Sequence, residues 1–183
     1  MNMRNTVDRY GSLSIAMHWL MLGLLIAVYS VILLREIYPK GSDPREALKL
    51  WHFMLGMSVF GLVFVRIALR FVGSTPRIVP PPARWQHLLG VGMHLALYLF
   101  LISMPLLGWL TLSAAGKPIP FFGLELPAIW SQDKEFAHTF KDLHETIGEI
   151  GYYLVGAHAL AALIHHYIVR DNTLLRMLPG RSA

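Results

Sequence analysis

Four long apolar windows constrain this chain more than any other feature of its sequence. They cover residues 15–34, 50–69, 88–112 and 147–169. A helix needs roughly 20 mostly apolar residues to cross the ~30 Å hydrocarbon core of a bilayer, and each window is about that long. A membrane-spanning strand needs only about half that length. The sequence therefore predicts an all-α membrane protein in which four transmembrane helices form a bundle.

The composition supports one membrane domain over residues 1–183. The chain is 55% hydrophobic and 15% charged, well away from soluble usage. It contains no cysteine, which excludes thiolate-held iron–sulfur clusters and covalently attached c-type haem from this chain. The net charge is +5, but the basic residues lie scattered at the predicted helix ends and form no stripe. We therefore expect contact with a lipid membrane and no nucleic-acid partner.

The positions of the basic residues predict the orientation. With four spans, both termini face one side of the membrane. The connection between the second and third spans, which contains three consecutive prolines at 80–82, faces the same side. That side carries nine of the 16 lysines and arginines. The positive-inside rule then favours a multi-pass membrane protein with both termini in the cytoplasm.

Four histidines recur at two depths in the predicted spans. His144 and His158 are 14 residues apart, which on a helix is a rise of roughly 21 Å and close to four turns, so they project from nearly one face. His52 lies at the outer end of the second span, and His18 at the inner end of the first. Pairing by depth joins His52 with His144 near the outer surface and His18 with His158 toward the cytoplasm.

Paired imidazoles inside a membrane indicate a functional site, because they are costly there without partners. Two b-type haems fit, since haem iron accepts neutral imidazole and a helix bundle offers an apolar slot for the porphyrin. Zinc is disfavoured, because HETIG at 144–148 departs from HExxH. A proton-relay or transport bundle, and histidines that only hydrogen-bond between helices, stay open as alternatives.

Six segments together carry a family resemblance. They are SIAMHW at 14–19, LWHFMLG at 50–56, VRIALR at 65–70, HLALYLFLISMPLLG at 94–108, HETIGEIGYYLVGAHALAALIHHY at 144–167 and DNTLLRMLP at 171–179. Over nearly its whole length the chain resembles the prokaryotic cytochrome b561 family. The resemblance implies two haem b groups, with His18 and His158 holding the cytoplasmic-side iron and His52 and His144 the periplasmic-side iron.

The resemblance also implies an activity. Members of the family are inner-membrane electron-transfer proteins, and a superoxide:ubiquinone oxidoreductase (superoxide oxidase) activity is attributed to them. Superoxide would then give an electron near the outer haem, and ubiquinone would be reduced near the inner one. The alternative is an electron-carrier cytochrome b subunit that links the quinone pool to a partner dehydrogenase.

Other polar residues are candidates for supporting roles. His165 shares a helix face with His158 and is the candidate quinone contact, and His166 lies beside it. His94 is expected to hydrogen-bond to a neighbouring helix or a haem propionate rather than to ligate iron. Arg66 either snorkels to the headgroups or pairs with an anionic cofactor group.

Basic residues near the outer mouth are candidates for attracting superoxide, which is an anion. These are Lys40, Arg45, Lys49 and Lys141. Acidic residues lie beside them in the sequence and weaken the expected field, so an ordinary mixed surface is the alternative.

Overall fold

The computed structural model describes residues 3–180, and most of them are helical. The four long helices are α1 (Ser12–Leu34), α2 (Asp43–Val72), α3 (Arg84–Ala114) and α4 (Lys134–Ile164). Two short strands, β1 (Ile119–Phe121) and β2 (Leu124–Leu126), lie between α3 and α4. Short helical turns cover Arg35–Ile37, His165–Val169 and Leu175–Met177, and the second of these is a π-helix.

All four long helices are long and apolar enough to cross a membrane, as predicted. Large apolar side chains such as Phe71 (84% exposed) and Tyr153 (80% exposed) face outward, which suits contact with lipid. The helices extend beyond the predicted windows because hydropathy detects only their apolar middle. The clearest difference is α4, which begins at Lys134 rather than near residue 147. Asp133 caps it, since its Oδ1 accepts the backbone N–H groups of the next turn.

The contacts within the chain divide it into two compact units. The terminal unit contains residues 3–20, Phe64–Leu99 and 150–180. The hairpin unit contains Met21–Val63 and Phe100–Glu149. Every long helix contributes residues to both units.

In the hairpin unit, β1 and β2 pair as an antiparallel hairpin with Phe121 opposite Leu124. Phe122 and Gly123 form its two-residue turn with φ values of 46° and 87°, and positive φ at both positions is the geometry that closes such hairpins. The backbone N–H of Phe122 also points at the sulfur of Met54, 3.4 Å away.

Arg45 of the hairpin unit holds the connection between α1 and α2. Its side chain is buried, and Nη1 donates to the carbonyl oxygens of Arg35 and Tyr38 at 2.9 Å. Nη2 donates to both carboxylate oxygens of Glu36 at 3.1 Å. This arginine therefore binds two main-chain carbonyls and a carboxylate just after α1 ends.

In the terminal unit, the two ends of the chain are tied together and to the α2–α3 connection. Arg77 N–H donates to Val7 O at 2.8 Å, and Val79 N–H donates to Asn172 Oδ1 at 2.9 Å. Trp19 Nε1 donates to the carbonyl of Met177 at 2.8 Å.

Candidate functional site

The hairpin unit brings His52 of α2 and His144 of α4 together. Their ring centres are 6.0 Å apart and their planes are inclined by 80°. Each ring is held by a main-chain carbonyl: His52 Nδ1 lies 3.1 Å from Val28 O, and His144 Nδ1 lies 3.0 Å from Met104 O. Both rings are half-buried.

These carbonyl contacts determine which ring nitrogen is free. A carbonyl oxygen only accepts, so the Nδ1 of each ring must carry the proton and donate it. The Nε2 of a neutral ring then keeps its lone pair. This is the arrangement of a metal-binding histidine whose other nitrogen is hydrogen-bonded by the protein.

A glycine on α3 gives His144 room to lie against that helix. A Cβ at Gly108 would stand 3.4 Å from His144 Cε1 and 3.7 Å from its Nδ1. At Gly148, next to this site on α4, a Cβ would lie 3.3 Å from the Met104 methyl group. Close approach of α3 to the ring therefore depends on small residues.

The terminal unit brings together His18 of α1 and His158 of α4. Their ring centres are 6.3 Å apart and their planes are inclined by 62°. His94 of α3 joins them, with its ring centre 5.5 Å from that of His158. His94 donates Nδ1–H to Gly90 O of its own helix at 2.6 Å, whereas the sequence had predicted a hydrogen bond to a neighbouring helix or to a haem propionate. The propionate contact stays a prediction.

Arg66 contacts His18 in the same unit. Its Nη2 lies 3.0 Å from His18 Nδ1. Within residues 3–180, its buried Nη1 has no hydrogen-bond partner. Arg66 therefore carries a buried polar group that an anion could satisfy.

The ring separations test whether an iron fits between each pair. A metal–imidazole bond is about 2.0–2.1 Å long and the bonding nitrogen lies about 1 Å from the ring centre, so two imidazoles on opposite sides of one iron place their ring centres roughly 6 Å apart. His52 with His144 and His18 with His158 have this separation, at 6.0 and 6.3 Å. His94 and His158 are closer, at 5.5 Å.

The described residues also limit the kind of metal centre. Across residues 3–180, no group of three or more histidine, cysteine or acidic side chains could hold a bare metal ion. Two imidazoles alone are too few ligands for zinc. A pair of this kind suits an iron that brings its own equatorial nitrogens, as haem does.

The remaining sequence candidates lie at the end of α4. His165 begins the π-helix, and its Nδ1 lies 2.5 Å from Asp171 Oδ2. His166 packs its ring against Tyr167 at 4.7 Å. The sequence reasoning missed Asp171, because it lies beyond the helix where periodicity no longer indicates contacts.

The basic residues of the hairpin unit are mostly paired. Arg45 is buried in the α1–α2 connection, so it cannot attract an anion at the surface. Lys49 contacts Glu46 at 2.6 Å, and Lys141 contacts Glu145 at 2.9 Å. Lys117, which the sequence reasoning did not single out, lines with Lys49 an open depression of about 200 Å³.

The chain is similar to known proteins over nearly all of its length. The family model described as Prokaryotic cytochrome b561 matches residues 9–180. Cytochrome b561 homolog 1 of Escherichia coli (strain K12) is 38% identical over 175 residues, covering 96% of this chain and 99% of that protein. A Yersinia pestis protein named probable superoxide oxidase CybB is 37% identical over 173 residues, covering 94% and 97%. Haem b is the cofactor that this family implies. The chain therefore belongs to the prokaryotic cytochrome b561 family and is a membrane electron-transfer protein.

Proposed function

We propose that this protein holds two haem b groups, one between His52 and His144 and one between His18 and His158. The observation that carries the proposal is the separation of the two ring pairs, 6.0 and 6.3 Å, which would let the two histidines of each pair hold one iron between them. The Nδ1 contacts of His52 and His144 support it further, because they leave Nε2 free for the metal.

We infer that the electron donor is superoxide and the acceptor is ubiquinone. When bound, haem b supplies one-electron carriers at both histidine pairs, and ligation by two histidines leaves no open position for oxygen chemistry. Two superoxide anions give up two electrons and become two molecules of dioxygen. Ubiquinone takes these electrons with two protons and becomes ubiquinol. The name of the Yersinia pestis relative supports the choice of donor.

The donor would approach the hairpin unit. Lys49 and Lys117 line the same depression there, and positive charge raises the local concentration of an anion. Glu46 lines it too and offsets part of that charge. In the proposed orientation this unit faces the periplasm, and both termini of the chain lie in the cytoplasm.

The acceptor would bind at the terminal unit. His165 is the candidate contact for a quinone oxygen, because its ring is half-buried and lies seven residues beyond His158 on the same helix face. His166 has a separate role in this proposal, since its ring lies against the exposed Tyr167 and anchors the helix end at the membrane surface.

The test is a reduced-minus-oxidised spectrum of the purified protein with haem content per chain. The spectrum is repeated with superoxide as the sole reductant and ubiquinone-1 as the acceptor. We expect two b-type haems that superoxide reduces and ubiquinone-1 reoxidises. Two haems that superoxide does not reduce would refute the donor and favour an electron-carrier subunit for a partner dehydrogenase. A haem content well below two per chain would refute the ligand assignment.

A further inference from the structure

A buried aspartate stands behind His165 at the end of α4. The helix widens into a π-turn at His165–Val169, and Arg170 then adopts a left-handed conformation with φ of 59°. The chain turns back, so that Asp171 N–H donates to His165 O at 3.1 Å. This local geometry brings Asp171 Oδ2 to 2.5 Å from His165 Nδ1.

The carboxylate of Asp171 is fixed from both sides. Its side chain is fully buried, and Oδ1 accepts the backbone N–H of Thr173 at 2.8 Å while Oδ2 faces the ring. Burial raises the pKa of Asp171, but the hydrogen bonds from His165 and Thr173 outweigh that effect and the pKa lies below its usual value. Asp171 is therefore an ionised acceptor that cannot easily rotate away.

The positive charge of Arg176 supports this carboxylate. Arg176 is buried, interacts electrostatically with Asp171, and donates Nη1–H to Pro76 O. Its Nε and the hydroxyl of Thr173 are buried and have no hydrogen-bond partner within residues 3–180. The carboxylate of Asp171 therefore has a buried positive charge in its surroundings.

The contact with Asp171 leaves one nitrogen of His165 available to a ligand. A carboxylate only accepts, so Nδ1 carries the hydrogen and Nε2 is the free nitrogen. The side chain of His165 is 22% exposed, so a ligand can reach it. The chain has a second pair of the same kind, His138 and Asp142 at 2.9 Å, but both of its side chains are more than half exposed.

We propose that Asp171 is a positioning residue that holds His165 so that Nε2 delivers a proton to a quinone oxygen. The inference rests on ubiquinone being the acceptor, as proposed above. The ring enters this step with a hydrogen on each nitrogen, the one on Nδ1 donated to Asp171. The N–H bond at Nε2 then breaks and an O–H bond forms on the quinone oxygen as the quinone takes up one electron. The ring is left neutral, with Nδ1–H still donated to Asp171. Water at the surface of the terminal unit then restores the proton to Nε2.

The replacement Asp171→Asn tests this step. The amide oxygen must still accept from Thr173, so the amide NH₂ turns toward Nδ1 and the ring proton moves to Nε2. Without a hydrogen on Nδ1, the His165 ring cannot lose its Nε2 hydrogen and remain neutral. Proton delivery should slow while electron delivery should not.

The experiment compares two acceptors in stopped flow. The full-length protein in detergent is reduced with dithionite and mixed with ubiquinone-1, which takes protons, or with ferricyanide, which does not. We expect Asp171→Asn to slow reoxidation by saturating ubiquinone-1 by at least about tenfold, with little change in the quinone concentration at half-maximal rate. Ferricyanide should oxidise it at the wild-type rate. The control is Asp142→Asn, which changes the aspartate of the exposed His138–Asp142 pair. It should be reoxidised at the wild-type rate by both ubiquinone-1 and ferricyanide.

Other outcomes separate this proposal from the one on which it rests. Equal slowing with both acceptors, or none with either, would overturn the role of Asp171. A wild-type protein that ubiquinone-1 does not oxidise would overturn the proposed acceptor, and the role of Asp171 with it. His165→Gln should show the same quinone-specific slowing. Adding Asp171→Asn to it should cause no further loss, whereas additive losses would show that Asp171 does not act through His165.

Discussion

The two histidine pairs have nearly equal ring separations but differ in what orients the rings. In the hairpin unit, His52 and His144 each contact a main-chain carbonyl through Nδ1. In the terminal unit, His18 contacts the guanidinium of Arg66. Neither ring nitrogen of His158 has a hydrogen-bond partner among residues 3–180. Main-chain carbonyls therefore orient both rings of the first pair, whereas in the second pair a side chain contacts His18 alone.

The difference matters because arginine only donates hydrogen bonds. His18 Nδ1 must accept from Arg66, so a neutral ring carries its proton on Nε2 and cannot bind iron there. Binding through Nε2 requires Arg66 to leave Nδ1. Arg66 would then have two unpaired nitrogen groups, and a haem propionate is an anion that could satisfy them. We expect the hairpin site to be preformed and the terminal site to rearrange when haem binds.

The largest expected effect is loss of a single haem. Because removing one axial ligand destroys one site, His52→Ala should lower the haem content of the purified protein by about half, and His18→Ala should do the same for the other site. The two variants should lose different components of the reduced spectrum. His138→Ala, which removes an exposed histidine of α4, is the control. A fully loaded His52→Ala protein would contradict the assignment.

Replacing Arg66 tests whether the terminal site needs an anion partner. Arg66→Gln should raise the haem dissociation constant of that site by roughly 10–100-fold, the usual effect of removing a supporting polar group, and leave the hairpin site unchanged. Haem titration of the apoprotein measures this. The exposed Arg70 lies one turn further along α2, and Arg70→Gln should bind haem normally. Tighter binding by Arg66→Gln would mean that the arginine only blocks the site.

Gly108 offers a smaller perturbation of the preformed site. The new methyl group of Gly108→Ala would lie 3.4 Å from His144 Cε1, at the tight end of van der Waals contact. Because this contact presses the ring from one side, we expect haem to leave the hairpin site up to a few-fold faster. Transfer to apomyoglobin measures this rate. Gly61→Ala has open space around the new methyl group and should show no change.

The smallest effect is expected at His94. Its ring centre is only 5.5 Å from that of His158, closer than two axial ligands of one iron. His94→Ala should therefore retain full haem content and a spectrum typical of two histidine ligands. If this variant instead lost the haem of the terminal unit, His94 rather than His18 would be the partner of His158.

The sequence predicts much of this structure because helical periodicity is regular. The 3.6-residue repeat and the depth of each residue were enough to predict that His52 meets His144 and His18 meets His158, and the structure contains both contacts. Their role as iron ligands stays a prediction. The apolar windows likewise predicted four long helices.

The contacts that the sequence did not predict depend on irregular backbone. Asp171 reaches His165 only because a π-turn and a left-handed residue reverse the chain. Arg45 lies in a predicted surface region, yet it is buried because three main-chain and side-chain acceptors converge on it. Gly108 is one of several helical glycines, and only the packed ring of His144 distinguishes it.

The carbonyl contacts of the hairpin unit have a consequence for mutational tolerance. Val28 and Met104 contribute only their backbone oxygens to the orientation of His52 and His144. Substituting either side chain leaves its oxygen in place as long as the helix stays intact. The orientation of these two rings is thus insensitive to most single substitutions around them, whereas His18 and His165 are each contacted by a single side chain, Arg66 and Asp171.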